Sequence, residues 1–224
     1  MRKPIATHPY KKPIWTAPGK ACSNNAPPRS IGALRPRIAM IEIVPYRPGW
    51  PSEYQDLAAR IRATVGDLAI GLHHIGSTSV PSLAAKDVID IQLTVADLEH
   101  VPHAQLQAAG FVRGKPSCDH CPPGIELPAE QLSKWFYSYQ TRAVNLHVRQ
   151  AGRFNQRYPL LCRDYLRTHP SAAAAYAQIK RQLARYFPHN AEAYYDIKDP
   201  VFDVLMAAAE DWARAIGWVL PPSD

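Results

Sequence analysis

Residues 74–92, HIGSTSVPSLAAKDVIDIQ, constrain the fold more than any other stretch of the chain. The apolar run over residues 68–75 predicts a β-strand, and it ends at Gly76-Ser77, a pair that favours a tight turn. The alternation of apolar and polar side chains over residues 87–95 predicts a second strand, which carries Asp90. A strand, a turn and an acid-bearing strand therefore form the centre of the predicted sheet.

The spacing of apolar residues along the chain predicts the helices and strands that surround these two central strands. Residues 113–129 hold four prolines and two glycines, which predicts a loop that could close over a site. From residue 153 onward, apolar residues recur at helical spacing. The predicted fold class is α+β, a mixed β-sheet with flanking helices and a helical C-terminal half. Its further elements are strands at residues 41–46, 134–140 and 143–149 and helices at residues 51–65 and 98–109.

The basic charge of the chain comes from its first 39 residues. The net charge is +7, yet eight of the 26 lysines and arginines lie in residues 1–39, which contain no acid. The remaining 18 bases face 19 acids, so the predicted domain, residues 40–224, is nearly neutral and nucleic-acid binding is not favoured. Seven prolines and few large apolar residues predict that residues 1–39 are disordered.

The remaining composition predicts a cytoplasmic protein. The sequence contains no signal-peptide core and no apolar segment of membrane-spanning length. Four cysteines without a secretion signal predict reduced thiols rather than disulfides. Residues 118–121, CDHC, have the spacing of half a zinc knuckle, but no second pair of ligands follows at matching spacing.

The two inner strands each present a polar face. Because side chains alternate along a strand, Asp90 and Gln92 share one face, and Asn145, His147 and Arg149 share one face of the later strand. If the two strands are neighbours in the sheet, these polar groups converge. Asp90 also has a purely structural interpretation, in which its carboxylate accepts hydrogen bonds from turn amides.

Several features of the chain resemble the GrpB family, a branch of the nucleotidyltransferase superfamily. The segment over residues 74–92 resembles the family signature, and Leu146-His147-Val148 is typical of the family. CRDYLRTHP, residues 162–170, and the segment over residues 176–180 resemble two further family segments. The opening MIEIVPYRPGWPSEYQ resembles the usual beginning of family members, which favours Met40 as the biological start.

This resemblance implies a site for ATP or another nucleotide with Mg²⁺ or Mn²⁺. The protein would transfer a nucleotidyl group to, or adenylylate, a small acceptor. Asp90 and His147 are the implied catalytic residues, and Asp90, Gln92 and His147 the implied metal ligands. The phosphates would be held by the residues of the turn and by two lysines: Gly76, Ser77, Thr78, Ser79, Lys86 and Lys180.

A second hypothesis is a catalytically degenerate module that binds a nucleotide or a related metabolite. The superfamily pattern has a second acid where this chain has Gln92, which brings no charge to a metal. His147 stands where a third acid is expected, and imidazole suits zinc or manganese better than magnesium. The family also resembles a domain fused to dephospho-coenzyme A kinases, which implies a nucleotide or coenzyme-A-related ligand. Lys180 has a plainer interpretation too, as a solvated lysine on a helix face.

Overall fold

The computed structural model describes residues 40–224, and the predictions for residues 1–39 lie outside this range. Its five α-helices are α1 (Trp50–Val65), α2 (His103–Ala108), α3 (Phe154–Thr168), α4 (Pro170–Tyr186) and α5 (Ala191–Ile216). Its six strands are β1 (Gly71–Ile75), β2 (Ile89–Val95), β3 (Phe111–Arg113), β4 (Ser117–Cys118), β5 (Ser133–Tyr139) and β6 (Val144–Gln150). Across residues 40–224, none of the helices is both long and apolar enough to cross a membrane.

The strands form one mixed sheet in the order β1-β2-β6-β5-β3, with β4 also paired to β5. Strands β2 and β6 run parallel, and the other neighbouring pairs are antiparallel. The register places Asp90 opposite Asn145 and Gln92 opposite His147. The predicted α+β class is therefore confirmed, and so is the prediction that the two polar strands are neighbours.

Helices cover both faces of the sheet. The apolar residues of β2 and β6 pack with α1 and α2, and the cluster includes the fully buried Trp50, Ile61 and Ile91. On the other face, α3 lies against the strands: Gln92 Nε2 donates to the Gln156 carbonyl at 2.9 Å. A parallel pair in the middle of a sheet is usually buried on both faces, and this arrangement explains why Gln92 and Thr94, on the polar side of β2, are buried as well.

The N-terminal strand predicted over residues 41–46 is wrong. Only Val44 pairs, in an isolated bridge with Ala85. Ile41 instead donates its amide to the Pro188 carbonyl at 2.8 Å, and the segment packs against a cluster formed by α4 and α5. The following Pro45 has no amide proton, so the pairing cannot continue beyond Val44.

Two other predicted elements differ from those observed. The helix predicted over residues 98–109 is split into a 3₁₀ turn, Leu98–His100, and α2, because Pro102 interrupts it. The predicted loop over residues 113–129 contains the short strand β4 and is preceded by β3. Strands of two or three residues are too short to produce a periodic pattern, so the sequence does not reveal them.

The C-terminal residues run along the outer edge of β1. The Asp224 amide donates to the Leu72 carbonyl at 3.0 Å, and the Ser223 hydroxyl bonds both the Leu72 amide and its carbonyl. One Asp224 carboxylate oxygen accepts from the His74 amide and from Arg163, each at 2.8 Å. This segment covers backbone groups that an edge strand otherwise exposes, and it links β1 to α3.

Candidate functional site

A pocket of about 450 Å³ lies between the polar face of the sheet and helices α3 to α5. Its floor comes from β2 and β6, through Asp90, Asn145 and His147, and one wall is the turn that follows β1. The loop between β3 and β5 contributes Asp119 and His120. The opposite wall comes from α4 and α5 and carries the lysines and tyrosines described below.

The turn after β1 brings its backbone against Asp90. Gly76 has φ 69° and ψ −171°, a conformation that is essentially restricted to glycine. A Cβ atom at this position would overlap the Asp90 carboxylate. Glycine is therefore required at Gly76 for two reasons, its backbone angle and the closeness of the carboxylate.

Of the three hydroxyls predicted to hold phosphate, only Ser77 faces a pocket cation. Lys180 Nζ donates to Ser77 Oγ at 2.8 Å. Thr78 lines the pocket, but its hydroxyl donates to the Val88 carbonyl at 3.1 Å and contacts His74 Nε2 at 3.0 Å. Ser79 donates to the Gly76 carbonyl at 2.6 Å and closes the turn. Thr78 and Ser79 thus hold the turn in shape, whereas Ser77 is available to a ligand.

His74 supports that turn from beneath. Its ring stacks on Tyr54, with centroids 4.8 Å apart, and burial lowers its pKa to about 4. Because the Thr78 hydroxyl proton is directed to Val88, His74 Nε2 must donate to Thr78. His74 is therefore a neutral imidazole that positions the turn.

Asp90 lies at the centre of the pocket floor. Asn145 Nδ2 donates to Asp90 Oδ1 at 2.7 Å, and His147 Nε2 lies 3.9 Å from the same oxygen. Burial opposes ionisation of Asp90, but the contacts with His147 and Asn145 outweigh it and hold the carboxyl pKa below its ordinary value. A half-buried carboxylate thus faces the pocket.

His147 is fixed in one tautomer. Lys134 Nζ donates to His147 Nδ1 at 3.1 Å, so the ring proton resides on Nε2, which faces Asp90. Burial, together with the nearby Arg149, lowers the His147 pKa to about 4. A neutral imidazole with its N–H toward Asp90 presents no lone pair to an ion bound there.

Gln92 lies away from the pocket cavity. It is fully buried, accepts from Arg149 Nη1 at 2.7 Å and donates to the Gln156 carbonyl at 2.9 Å. Both ends of the amide are therefore engaged in joining β2 to β6 and α3. The same arginine donates to Asp119 from Nε at 2.8 Å, which connects this buried network to the loop.

Asp119 links the loop between β3 and β5 to the sheet. Its carboxylate accepts from Arg149, from Lys134 and, at 3.1 Å, from Asn155 Nδ2. Burial opposes ionisation, but Arg149 and Lys134 outweigh it and lower the Asp119 pKa far below its usual range. The other members of the CDHC stretch have separate partners: His120 contacts Asp203 at 2.8 Å and Cys121 donates to the Ile125 carbonyl.

These donors do not fit the two-metal centre that the family resemblance implies. Within residues 40–224, no three His, Cys, Asp or Glu side chains are grouped so that they could hold a metal ion. Asp90 is the carboxylate on the floor, Gln92 is saturated by Arg149 and Gln156, and His147 directs a proton toward Asp90. Two-metal catalysis commonly uses two or three carboxylates from neighbouring strands, and this site lacks them.

Three lysines converge on the opposite wall of the pocket. Lys180 is 3% exposed, and its Nζ lies 4.6 Å from the centre of the Tyr176 ring. Lys86 Nζ lies 4.4 Å from the Tyr195 ring centre and also contacts the Tyr195 hydroxyl. Lys198 pairs with Asp199 at 2.9 Å. The lysines therefore lie on a wall of tyrosine rings rather than in solvent.

Burial and neighbouring charges shift the pKa values of Lys180 and Lys198 in opposite directions. Burial lowers the Lys180 pKa to about 7, and Lys198 acts in the same direction. For Lys198, burial disfavours the charge, but Tyr176 and Asp199 outweigh it and raise its pKa. At neutral pH Lys198 is charged, whereas Lys180 is poised between ammonium and amine.

Sequence analysis and structure agree on only part of this site. The structure brings together Gly76, Ser77, Asp90, His147 and two predicted phosphate-binding lysines, Lys86 and Lys180. Sequence analysis missed Lys134, although a lysine on the polar face of a predicted strand was a usable signal. It also missed the role of Asp119, because a proline-rich loop has no period from which an orientation can be deduced.

Comparison with known proteins identifies relatives over most of the described chain. The family model described as GrpB protein matches residues 40–208. The crystal structure of the conserved protein GrpB from Enterococcus faecalis superposes with a TM-score of 0.63 at 25% identity, covering 76% of this chain and 99% of that one. A UPF0157 protein of Halalkalibacterium halodurans is 33% identical over 199 residues, which is 84% of this chain and 95% of the relative.

One relative is longer than this chain and is named as a kinase. A dephospho-CoA kinase of Mycolicibacterium paratuberculosis is 31% identical over 201 residues, which is 80% of this chain but 48% of the kinase. This chain thus spans less than half of the kinase's length, and the similarity by itself assigns no kinase activity to it.

Proposed function

This chain belongs to the GrpB protein family, and from that premise we propose that it binds a nucleotide through its phosphate groups in the pocket between the sheet and helices α3 to α5. The observation that carries the proposal is the contact of the buried Lys180 ammonium with the Ser77 hydroxyl at 2.8 Å. Burying an ammonium group without a carboxylate is costly, and an anionic ligand at this point would offset that cost.

The charge balance of the pocket supports an anionic ligand. Six lysines and arginines line it against three aspartates: Lys86, Lys134, Arg149, Arg163, Lys180 and Lys198 against Asp90, Asp119 and Asp199. Most of these cations already have acidic partners. Among the ion pairs of residues 40–224, none involves Lys86 or Lys180. These two cations are therefore the ones available to phosphate oxygens.

The size and lining of the pocket support a ligand larger than free phosphate. A volume of about 450 Å³ lies within the range of roughly 300–1,000 Å³ typical of small-molecule sites. Tyr176, Tyr194 and Phe202 add aromatic surface beside the lysines. A planar base or a similar apolar group can pack on such surface while phosphates meet the cations.

Nucleotidyl transfer is the second candidate. It is favoured by one observation, which is that the Asp90 carboxylate faces the same pocket as the two free lysines. A magnesium ion usually retains waters and uses one or two protein carboxylates together with substrate phosphates. Asp90 would coordinate a metal ion that binds together with a triphosphate. Nucleotidyl transfer therefore predicts that binding requires a metal ion, whereas the first candidate predicts that it does not.

Calorimetric titration of the full chain with ATP, in the presence and absence of Mg²⁺ or Mn²⁺, tests the proposal. We expect binding without metal and a loss of affinity of about tenfold or more in Lys180→Met, because hydrogen bonds to charged groups contribute about 1.5–3 kcal/mol. Arg185→Met, on the exposed side of the same helix, is the matched control and should bind as the parent does.

The other outcomes are equally informative. Binding that requires a divalent ion and is lost in Asp90→Asn would favour nucleotidyl transfer. Equal affinity of the parent and Lys180→Met would contradict the proposed phosphate site. Dephospho-coenzyme A and coenzyme A belong in the same titration series because of the relative named dephospho-CoA kinase. Tighter binding of either one than of ATP would identify the nucleotide class.

A further inference from the structure

Lys180 has the environment of a nucleophilic amine. It is 97% shielded from solvent yet lines the pocket, and its Nζ contacts the Ser77 hydroxyl and the Tyr176 ring. Lysines that act as nucleophiles are activated by burial or by a second cation nearby. Both conditions occur here, since Lys198 and Lys86 belong to the same wall of the pocket.

We propose that Lys180 forms a Schiff base with a phosphorylated aldehyde or ketone whose phosphate is held by Lys86, the other pocket lysine without an acidic partner among residues 40–224. The inference rests on the proposed phosphate site and extends it from binding to covalent chemistry. It assigns separate tasks to the two lysines: the Lys86 ammonium recognises the phosphate, and the buried Lys180 amine attacks the carbonyl carbon.

The reaction is a condensation that needs no metal. The Lys180 nitrogen lone pair forms a bond to the carbonyl carbon, and the carbonyl oxygen takes up a proton to give a carbinolamine. Loss of that oxygen as water, together with the remaining nitrogen proton, leaves a C=N double bond. Ser77 Oγ, 2.8 Å from Nζ, is within reach to relay the proton from nitrogen to oxygen.

The protonation state of Lys180 agrees with this geometry. Its pKa of about 7 leaves roughly half of the side chain as free amine at neutral pH, against less than about 0.1% for an ordinary lysine. Lys198, whose pKa is raised, stays charged and cannot attack. The two lysines therefore differ in chemistry although they line one pocket.

The test is reductive trapping on the full chain with pyridoxal 5′-phosphate as the probe. The protein is incubated with the probe, reduced with borohydride, digested and mapped by mass spectrometry. We expect the reduced adduct on Lys180 at about tenfold or higher occupancy than on the exposed Lys115, which lies outside the pocket. Pyridoxal without the phosphate should label Lys180 much more weakly.

Variants separate a reactive lysine from a merely accessible one. Lys180→Met should abolish the major adduct and Lys115→Met should leave it unchanged. Ser77→Ala retains the amine and should slow adduct formation severalfold, which provides a test even if Lys180→Met fails to fold. Labelling spread evenly over Lys86, Lys115 and Lys180, or an unlabelled Lys180, would overturn the inference.

Calorimetry on the same samples distinguishes this inference from the proposed function. ATP binding without a Lys180 adduct would overturn only the Schiff-base chemistry. An adduct at Lys180 in a protein that does not bind ATP would support the inference and the phosphate site while excluding ATP as the ligand. Protection of Lys180 by ATP would show that both ligands occupy one pocket.

Discussion

At Gly76, the absence of a side chain permits both the backbone conformation of the turn and the close approach of Asp90 on the pocket floor. The residue has φ 69° and ψ −171°, and a Cβ atom would overlap the Asp90 carboxylate. The adjacent Ser77 hydroxyl meets Lys180. A change at this one position therefore affects the turn, the carboxylate and the cation contact together.

We predict that Gly76→Ala lowers the free energy of unfolding by at least about 2 kcal/mol, since backbone strain and steric overlap each cost about 1–3 kcal/mol. Urea denaturation measures the loss. Gly217→Ala is the matched control, because Gly217 has φ 65° with open space around the missing Cβ, and about 1–2 kcal/mol is expected there from strain alone. Equal losses in the two variants would show that Asp90 does not restrict Gly76.

At the scale of elements, one carboxylate fastens the loop between β3 and β5 to the sheet. Asp119 accepts from Arg149 and Lys134, while its amide donates to the Leu132 carbonyl at 2.8 Å. Arg149 in turn bonds Gln92, so the loop, β6 and β2 share one buried network. The loop that lines the pocket is thus held by long-range polar contacts rather than by an apolar core.

We predict that Asp119→Ala destabilises the fold by about 3 kcal/mol, because it leaves two buried cations without their partner. Hydrogen exchange should rise most in residues 114–128, before global unfolding. Asp211→Ala removes the exposed partner of Arg214 and serves as the control, with an expected change within about 0.5 kcal/mol. Unchanged exchange in residues 114–128 of Asp119→Ala would contradict the anchoring role.

At the scale of the whole molecule, two neutral histidines make stability depend on pH: His74 is buried and His147 is partly buried. His74 and His147 both have pKa values of about 4 in the fold, against about 6.5 when unfolded. Between these values the unfolded chain binds more protons, so acid favours unfolding. The stabilising contribution is complete above pH 6.5 and is lost as the pH falls toward 4.

We predict that unfolding free energy, measured in urea at pH 7, 6 and 5, falls with acidification. Each histidine contributes at most about 1.4 kcal/mol per pH unit. His147→Gln should flatten the dependence, whereas replacement of the exposed His189 by Gln should leave it unchanged. An identical slope in the parent and His147→Gln would exclude His147 as a source of the acid sensitivity.

The sequence by itself determined the local pattern of this protein. Alternation in β2 and β6 predicted which side chains share a face, and Gly76-Ser77 predicted the turn between β1 and β2. Helical spacing predicted the C-terminal half, which is observed as α3, α4 and α5. These features can be predicted from residues close together in the sequence, because the spacing of apolar residues reflects which face of each helix or strand is buried.

Only the tertiary structure decided which polar groups meet. Lys180 bonds Ser77 across 103 residues, Arg149 bonds Asp119 across 30, and neither partner is implied by local spacing. Gln92 and Ser79 belong to the predicted site by motif, yet packing directs both into structural hydrogen bonds. A buried polar group must find a partner wherever the fold supplies one, and that choice depends on the packing of distant elements.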